Sequence, residues 1–291
     1  MKPAPFDYYA PTSVEQALDN VVQLGYDAKI LAGGQSLIPT MNFRLAQPAS
    51  LIDLNNIPEL FYIHPLDDGG VLIGAMTRQS TVERDPLIAQ RAPLVRAAMP
   101  YIAHPQIRTR GTFGGSIAHA DPAAELPAVT VALGARYRVR NKTGERWIAA
   151  EDFFVSLFTT SLQPDEVLVE IALPPMPPRC GWSFQEVARQ SGAYGLAGVA
   201  TLVALDDKKR CQQVRMVFLS CGERPMLAQH AAKVLVGQAP TPEAIRAAAE
   251  AAAKDDVDPS SDIHASAAYR RHLVKVSAFR ALTQAFQRAN P

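Results

Sequence analysis

Apolar residues recur at helical or strand spacing along most of the chain. Residues 14–25, VEQALDNVVQLG, place apolar side chains three or four positions apart between a Thr-Ser pair and Gly25, so the pattern predicts a capped helix. Three short apolar runs, KILAGG (29–34), SLIDL (50–54) and VLIGAM (71–76), are typical of buried strands. Helices and strands are therefore expected to alternate in the N-terminal part, as in an α/β region.

Further elements follow in the same region. Hydroxyl side chains near the start of residues 77–88 are candidate caps for a helix that runs into Ile88. Residues 93–103 predict another helix. The run AVTVALGARYRVRN (128–141) predicts a helix that passes into a strand.

The pattern changes at PPMPPR, residues 174–179, which is too rich in proline for a helix or a central strand. We place a domain boundary there, so that residues 1–177 form one domain and residues 178–291 the other. Beyond it, the run from Gly198 to Gly222 predicts a β-hairpin with a charged turn. Two alanine-rich or amphipathic segments, 242–253 and 265–288, predict helices.

Composition narrows the possible functions. Lys and Arg total 29 against 28 for Asp and Glu, a net charge of +1, so no electrostatic footprint for nucleic acid is present. No apolar run is long enough to span a bilayer, and the N-terminal sequence does not resemble a secretory signal, so we expect a cytoplasmic protein. The 3 cysteines are scattered and the 6 histidines lie singly, which predicts no metal site on this chain.

Two segments stand out chemically, residues 29–37 and 106–122, because in both a Gly-Gly pair is followed within two residues by serine. We call residues 32–36 the first glycine loop and residues 111–115 the second glycine loop. Glycine lets the backbone turn and approach a ligand closely, and successive backbone N–H groups can form an anion-binding concavity. The adjacent hydroxyls that could donate further hydrogen bonds belong to Ser36, Thr112 and Ser116.

A phosphate-bearing ligand, with a pyrophosphate favoured, follows from the two loops together. A single Gly-Gly pair has a plainer explanation as a turn, as at Gly69-Gly70, which no hydroxyl follows. Neither glycine loop is followed by a catalytic lysine, so the spacing favours holding a phosphate over transferring one. The chain contains neither GxGxxG nor GxxxxGK[ST], so neither a dinucleotide-binding Rossmann fingerprint nor a P-loop is predicted.

The sequences of the two loop segments, AGGQSLIP and RGTFGGSIAHADPAAE, resemble those of the FAD-binding medium subunits of the molybdenum hydroxylases. That family includes carbon monoxide dehydrogenase, bacterial xanthine dehydrogenase and nicotine-, caffeine- or quinoline-type dehydrogenases. The resemblance continues in KPAPFDYYAPTSVEQAL, PDEVLVEIALP and FQEVARQSGAYGLAGVA, and covers essentially the whole chain. It implies an α+β fold, in which a two-subdomain FAD-binding domain (about 1–57 and 58–177) precedes a C-terminal domain of a small antiparallel sheet plus helices.

The resemblance also implies roles for individual residues. Glu125 would hydrogen-bond hydroxyls of the cofactor, Leu168 would offer backbone hydrogen bonds near the flavin ring, and Tyr194 would lie against the isoalloxazine. Two plainer roles stay open, a core aromatic for Tyr194 and a helix-start carboxylate for Glu125. The residues expected around the pyrophosphate and ribityl portion are Ala32, Gly33, Gly34, Gln35, Ser36, Gly111, Thr112, Phe113, Gly114 and Gly115.

Two departures from the family's pattern affect these expectations. Relatives often carry a lysine shortly after the position of Phe184, whereas this chain has Gln185-Glu186, which puts the flavin potential and an NAD-linked role in doubt. The chain also lacks the cysteine-bearing insertion of hydroxybenzoyl-CoA reductase relatives, which argues against an extra cluster. His119 and Asp121 lie next to the second glycine loop, and only their proximity to the site is expected.

The function that the resemblance implies is electron transfer by an FAD-carrying subunit of a heterotrimer. A large partner subunit would bind molybdopterin, a small one would carry [2Fe–2S] clusters, and two heterotrimers would form a dimer. Electrons would pass from the clusters through FAD to an external acceptor, so no catalytic acid or base is expected here. The alternatives are a stand-alone FAD-dependent oxidase and a non-catalytic assembly subunit.

Overall fold

The computed structural model describes residues 1–290, whose strands form sheets of three, five, four and two strands. In the three-stranded sheet the order is β1-β3-β2, and the neighbouring strands are parallel. The strands of this sheet are β1 (Asp7–Tyr9), β2 (Ala28–Leu31) and β3 (Ser50–Asp53). The predicted runs at 29–34 and 50–54 therefore form neighbouring strands of one sheet.

The helix predicted from residue 14 is confirmed as α1 (Val14–Leu24). The Ser13 hydroxyl accepts a hydrogen bond from the Gln16 N–H at 3.2 Å, which satisfies one of the free donors at the helix start. Gly25 ends the helix with φ +59°, in the left-handed region that glycine tolerates best. The helix packs its apolar face on β3, where it encloses the first of the hydrophobic cores.

The five-stranded sheet has the order β4-β5-β10-β6-β7 and antiparallel pairs throughout. Its strands are β4 (Ile63–Pro65), β5 (Val71–Gly74), β6 (Arg136–Asn141), β7 (Gly144–Ala149) and β10 (Val167–Leu173), and a two-stranded hairpin, β8 (Phe154–Ser156) and β9 (Thr159–Thr160), lies beside it in the sequence. The predicted strand at 71–76 and the predicted helix-to-strand run at 128–141 are confirmed here.

Short helices fill the connections around these two sheets. They are α2 (Leu37–Asn42), α3 (Gln79–Arg84), α4 (Pro86–Arg91), α5 (Pro93–Ala98), α6 (Pro105–Arg108), α7 (Phe113–His119), α8 (Glu125–Leu133) and α9 (Ala150–Phe153). Short 3-10 turns cover Gly25–Asp27, Leu54–Asn56, Pro58–Leu60 and Met99–Tyr101.

Two helix predictions are wrong in detail. The single helix expected to run into Ile88 is two helices, because Pro86 lacks an N–H and the Asp85 carboxylate caps the second one at the Leu87 N–H, 2.8 Å away. The expected hydroxyl cap is also absent, since α3 begins after Arg78, without a side-chain cap. The helix predicted over 93–103 ends at Ala98 and gives way to a 3-10 turn that contains a proline.

The C-terminal part contains a four-stranded antiparallel sheet of order β11-β12-β13-β14. The hairpin predicted between Gly198 and Gly222 is confirmed as its two central strands. The strands are β11 (Cys180–Ala188), β12 (Gly195–Leu205), β13 (Cys211–Leu219) and β14 (Met226–Leu227), followed by α10 (Gln229–Leu235), α11 (Pro242–Asp255) and α12 (Ala267–Ala289).

Every residue of β12 is buried because the sheet is covered on both faces. Ala200 and Leu202 belong to the core shared with the five-stranded sheet, whereas Val199 and Val203 belong to the core under α12. The alternation along β12 therefore assigns its two faces to two cores. The C-terminal helices and sheet are thereby joined to the N-terminal part.

Candidate functional site

A cleft of about 940 Å³ lies between the three-stranded sheet, the start of α7 and α8, and the loop before β12. Its volume falls at the upper end of the range for small-molecule and cofactor sites. All but one of the sequence-predicted site residues line it, namely Ala32, Gly33, Gly34, Gln35, Ser36, Gly111, Thr112, Gly114, Gly115, Glu125, Leu168 and Tyr194. The fold thus brings together residues that are far apart in the sequence.

Phe113 is the predicted residue that does not line the cleft. Its side chain is fully buried in the core of the five-stranded sheet. Its N–H donates to the Thr77 carbonyl oxygen at 2.9 Å. Phe113 therefore anchors the second glycine loop from behind.

The first glycine loop connects β2 to α2 and leaves its backbone donors open. Within the described part of the chain, the consecutive N–H groups from Gly33 to Ser36 have no protein acceptor. Gly34 has φ +73°, which a residue with a side chain adopts only with strain. The Gln35 side chain donates to the Gly33 carbonyl oxygen at 3.1 Å and stabilises this curvature. The loop is an open row of donors on the wall of the cleft.

The second glycine loop has a different local structure, since Gly114 and Gly115 lie in the first turn of α7. Thr112 caps this helix, because its hydroxyl accepts from the Gly115 N–H at 3.0 Å. The Gly114 N–H donates to the Ala75 carbonyl oxygen at 2.8 Å. Of the backbone N–H groups of residues 111–116, only that of Thr112 has no acceptor among the described residues.

The two glycine loops touch. A Cβ atom on Gly33 would lie 2.8 Å from the Gly111 Cα atom and would also clash with the Arg110 carbonyl oxygen. A Cβ atom on Gly115 would lie 3.1 Å from the Ala32 Cβ atom. These glycines let two backbone segments pack against each other at one end of the cleft.

Carboxyl groups gather at the start of α8. Glu125 is the first residue of that helix and also lines the cleft, so both roles considered for it describe its position. Burial, together with the charge of Asp121, raises the pKa of Glu125 to about 7. Burial, together with the charge of Glu125, raises the pKa of Glu186 to about 8. One Glu186 carboxyl oxygen is buried without a hydrogen-bond partner among the described residues.

Two exposed aromatic side chains line the cleft. Tyr194 is 69% exposed, so it is not a core aromatic and its ring is free to contact a ligand. Phe158 also lines the cleft, in the β8–β9 hairpin, and its ring centroid lies 5.2 Å from that of His119. Burial lowers the pKa of His119, which favours the neutral imidazole. His119 and Asp121 are both lining residues, as their proximity to the second loop predicts.

Leu168 lies on β10, where the register against β6 shifts between Leu168 and Glu170. Its side chain is nearly buried, and the residue lines the cleft. The neighbouring Val169 carbonyl oxygen accepts from the Ala75 N–H at 3.0 Å. Such a bulge ends regular pairing and leaves backbone groups available near the cleft.

Positive charge is scarce around the cleft. Apart from histidines, Lys29 is the one basic residue among those that line it within residues 1–290. An anionic ligand would therefore depend mainly on backbone N–H groups of the first glycine loop. This loop has the donors that a pyrophosphate requires, so the residues present fit such a group.

Gln79 is a site residue that the sequence did not reveal. It is the first residue of α3, lines the cleft and is 5% exposed. Its Oε1 atom has no hydrogen-bond partner among the described residues, and its Nε2 atom lies 3.5 Å from the Thr112 carbonyl oxygen. Nothing in the polar run around Gln79 distinguishes it, because its placement depends on the contact with the second glycine loop.

Two family models cover nearly the whole chain. The FAD binding domain in molybdopterin dehydrogenase matches residues 4–176, and the CO dehydrogenase flavoprotein C-terminal domain matches residues 182–285. The molecule is thus a two-domain flavoprotein of the α+β class, as the resemblance predicts. Within residues 1–290, no helix is long and apolar enough to cross a membrane, and no group of His, Cys, Asp and Glu side chains is arranged to hold a metal ion.

Relatives match over nearly their full length. The chain is 41% identical to 6-hydroxypseudooxynicotine dehydrogenase complex subunit alpha of Paenarthrobacter nicotinovorans, over 100% of this chain and 98% of the relative. It is 37% identical to the carbon monoxide dehydrogenase medium chain of Hydrogenophaga pseudoflava, over 99% of each. The chain belongs to the FAD-binding medium subunits of the molybdenum hydroxylase family, which are oxidoreductase subunits with FAD as their cofactor.

Solved structures agree with this assignment. Carbon monoxide dehydrogenase from Hydrogenophaga pseudoflava superposes with a TM-score of 0.96 at 38% identity, covering 99% of each chain. Quinoline 2-oxidoreductase from Pseudomonas putida 86 superposes with a TM-score of 0.93 at 36% identity, again over 99% of each. The predicted fold class is confirmed, with the C-terminal antiparallel sheet and helices where it places them.

Proposed function

We propose that this chain relays electrons from [2Fe–2S] clusters of a small partner subunit, through FAD in the cleft, to an external acceptor. In the proposed complex a large subunit holds molybdopterin, the three chains form a heterotrimer, and two heterotrimers associate in the cytoplasm. The observation that carries the proposal is the open row of backbone donors from Gly33 to Ser36 on the wall of the cleft. Such a row suits a pyrophosphate, and FAD is the cofactor of the family.

Bound FAD accepts electrons singly or in pairs and passes them on, so the protein has only to bind, orient and tune it. We assign the pyrophosphate and ribityl portion to the two glycine loops, with Lys29 as the nearby positive charge. Ser36 and Ser116 provide hydroxyl donors, and Phe113 holds the second loop in place from the core. Tyr194 would lie against the flavin ring, and Leu168 would offer its backbone for hydrogen bonds near that ring.

Glu125 suits contact with a hydroxyl group of the cofactor. With a pKa raised to about 7, its carboxyl group is present in both protonation states near neutral pH. The ionised form accepts a hydrogen bond and the protonated form can also donate one, while a hydroxyl group does both. Glu125 can therefore stay hydrogen-bonded to the cofactor across the neutral range.

We also propose the domain division made from the sequence, with subdomains of about 1–57 and 58–177 followed by 178–291. The parallel sheet ends at Asp53, the five-stranded sheet begins at Ile63 and ends at Leu173, and the last large sheet begins at Cys180. Each proposed unit thus contains its own sheet. The cleft has walls from all three units.

The experiment uses the complex purified with its partner subunits, in FAD-replete and FAD-depleted forms. Both are reduced with dithionite without oxygen and are mixed with NAD, a quinone or oxygen, and cluster and flavin absorbance are followed by stopped flow. Reoxidation of the clusters by an acceptor should be rapid only in the FAD-replete form, and adding FAD to the depleted form should restore it. Equal reoxidation in both forms would show that electrons bypass this chain.

The same preparation tests the relay in the forward direction. Carbon monoxide, nicotine, 6-hydroxypseudooxynicotine, caffeine and quinoline, taken from the names of the relatives, form the substrate panel. A substrate of the complex should reduce the clusters whether or not FAD is present, but should bleach the flavin only in the replete form. A substrate that reduces the flavin without the small subunit would instead support a stand-alone oxidase.

A further inference from the structure

Two polar side chains behind the cleft join the glycine loops. Asn55 lies in the 3-10 turn after β3 and donates from Nδ2 to the Ala32 carbonyl oxygen at 2.8 Å. Its Oδ1 atom accepts from Nη2 of Arg78 at 2.5 Å. The other terminal nitrogen of Arg78, Nη1, donates to the Arg110 carbonyl oxygen at 2.6 Å. A continuous hydrogen-bonded bridge therefore runs from the start of the first loop to the residue before the second.

The bridge is itself held in place. Asp53 is 8% exposed and accepts hydrogen bonds from the backbone N–H and the side-chain amide of Asn55. Its other carboxyl oxygen accepts from the Tyr8 hydroxyl at 2.5 Å. The Arg78 guanidinium lies over the Phe61 ring, 5.4 Å from its centroid. Both bridging side chains are thus fixed before any ligand binds.

The bridge spans the place where the loops touch. Among residues 1–290 as described, no hydrogen bond runs directly between residues 32–36 and 110–116, although Gly33 and Gly111 are in backbone contact. Packing alone can keep the loops from approaching further, but it opposes their separation only weakly. The polar connection through Asn55 and Arg78 resists that separation.

Neither bridging residue lines the cleft, although their sequence neighbours Leu54 and Gln79 do. A ligand in the cleft would therefore meet the loops and not the bridge. Any effect of Asn55 or Arg78 on ligand affinity has to act through the positions of the carbonyl oxygens that they hold.

We propose that Asn55 and Arg78 are positioning residues that set the separation of the two glycine loops and thereby the affinity for FAD, an inference that rests on the proposed FAD site. Rigid positioning of a site from behind lowers the cost of ordering it when the ligand binds. A fork-shaped guanidinium is suited to this task because it reaches two acceptors in fixed directions.

The experiment measures the FAD dissociation constant of the purified protein after deflavination, together with its unfolding temperature. Arg78→Met keeps an apolar stem over Phe61 but removes both donors, and Asn55→Ala removes the link to Ala32. Each substitution breaks the bridge and should weaken FAD binding roughly tenfold, about the net contribution of one hydrogen bond. Arg78→Lys should recover only part of the loss, because one ammonium group cannot reproduce the fork.

A double-substitution cycle distinguishes a bridge from two independent contacts. If Asn55 and Arg78 act as one connection, the combined variant should bind FAD about as weakly as the weaker single variant. Independent contacts would instead multiply their effects, which would overturn the bridge. The cycle is measured on FAD affinity. A general loss of stability alone would leave the effects of the two substitutions on this affinity additive.

Arg91→Met is the matched control. Arg91 is half-buried and donates to the Leu66 and Gly70 carbonyl oxygens at 2.9 and 3.1 Å, in a turn away from the cleft. The Arg91→Met substitution should lower the unfolding temperature without changing FAD affinity. Wild-type affinity in a folded Arg78→Met variant would overturn the positioning role and leave the FAD site intact, whereas a wild-type protein that binds no FAD would overturn the site itself. If Arg78→Met does not fold, Asn55→Ala alone gives the same decision.

Discussion

The two glycine loops share a sequence pattern but differ in what their backbones do. In the first loop, the N–H groups from Gly33 to Ser36 have no acceptor within residues 1–290. In the second, the N–H groups of Gly114 and Gly115 donate to Ala75 and Thr112, in the first turn of α7. The first loop therefore presents free N–H donors to a ligand, whereas most N–H donors of the second loop are hydrogen-bonded to the protein.

The glycines consequently serve different purposes. Gly34 supplies a left-handed turn that bends the first loop around the cleft, and Gly33 lets that loop touch the second. A Cβ atom on Gly114 would lie only 2.6 Å from the Ala75 Cβ atom, so this glycine allows α7 to approach the end of β5. A matching Gly-Gly pair can thus indicate a ligand site in one place and close packing in another.

Gly33→Ala should have the largest effect on cofactor binding. The new methyl group would meet the backbone of Arg110 and Gly111, which cannot move aside as a flexible side chain would. Overpacking of this kind costs about 1–3 kcal/mol, so the separated loops should bind FAD roughly 10- to 100-fold more weakly. FAD titration of the deflavinated protein, followed by flavin fluorescence, measures the change.

Gly144→Ala is the control for that substitution. Gly144 starts β7, and no atom lies within 4 Å of where its Cβ atom would be. The control should therefore bind FAD as the wild type does. Equal affinity for Gly33→Ala would mean that the contact between the loops does not determine the shape of the FAD site.

Gly114→Ala should affect stability more than binding. The clash with Ala75 lies in the core beside β5, so we expect the free energy of unfolding to fall by about 2 kcal/mol, partly offset by the better helix propensity of alanine. FAD affinity should change less than threefold once the protein is folded. Urea unfolding of the FAD-free protein tests this, and a large loss of affinity without a loss of stability would place Gly114 among the ligand contacts.

Local signals in the sequence were sufficient for α1, whose capping serine and terminal glycine lie within its own segment. They were insufficient for α7, because a Gly-Gly-Ser start has poor helix propensity and the helix depends on the Gly114 bond to Ala75 in a distant segment. Pro86 is a local signal for a break in the helix, but the hydroxyl side chains at the start of residues 77–88 favour one continuous helix.

The same distinction applies to the site. That the glycine loops, Glu125 and Tyr194 meet in one cleft could be predicted, because the sequences of their segments resemble those of a family. Gln79 and the Asn55–Arg78 bridge could not, since each depends on contacts between segments that no local pattern records. Residues that hold a ligand tend to leave local motifs, whereas residues that position those motifs do so through tertiary contacts.

Glu125→Gln tests the ionisation of Glu125, the first residue of α8. The pKa of Glu125 rises from an ordinary value of 4.5 to about 7 on folding, so its protonated form stabilises the FAD-free protein below about pH 4.5, and that contribution is lost as pH rises through 7. Wild-type stability should thus fall between pH 5 and pH 8. Between pH 5 and pH 8 the variant should lose about 2–3 kcal/mol less stability than the wild type.

Urea unfolding at a series of pH values measures the slope of stability against pH. Glu243→Gln, in an exposed first turn of α11, is the control and should leave the wild-type slope unchanged. Part of the slope should persist in Glu125→Gln because the pKa of Glu186 is also raised, to about 8. A variant with the full wild-type slope would show that Glu125 is ionised throughout this range.

The smallest expected effects come from the two hydroxyls, and they separate the loops most directly. Ser36 begins α2 without making a capping hydrogen bond, so Ser36→Ala should cost only a few tenths of a kcal/mol in stability. Ser36 lines the cleft, and losing one hydrogen bond from its hydroxyl to the cofactor should weaken FAD binding about three- to tenfold. Thr112→Val removes a cap on Gly115, so about 1 kcal/mol of stability should be lost, with less than a threefold change in affinity.

FAD affinity and the free energy of unfolding are measured for both variants. We expect one variant to change mainly the first quantity and the other mainly the second, which neither a general loss of stability nor a general loss of binding can produce. If the Ser36 hydroxyl contacts the cofactor and the Thr112 hydroxyl mainly caps α7, Ser36→Ala changes mainly the FAD dissociation constant and Thr112→Val mainly the free energy of unfolding. The reverse pattern would exchange the roles of the loops. Equal effects of Ser36→Ala and Thr112→Val on affinity would mean that both hydroxyls contact the cofactor, since the Thr112 hydroxyl can donate to a ligand while it accepts from the Gly115 N–H.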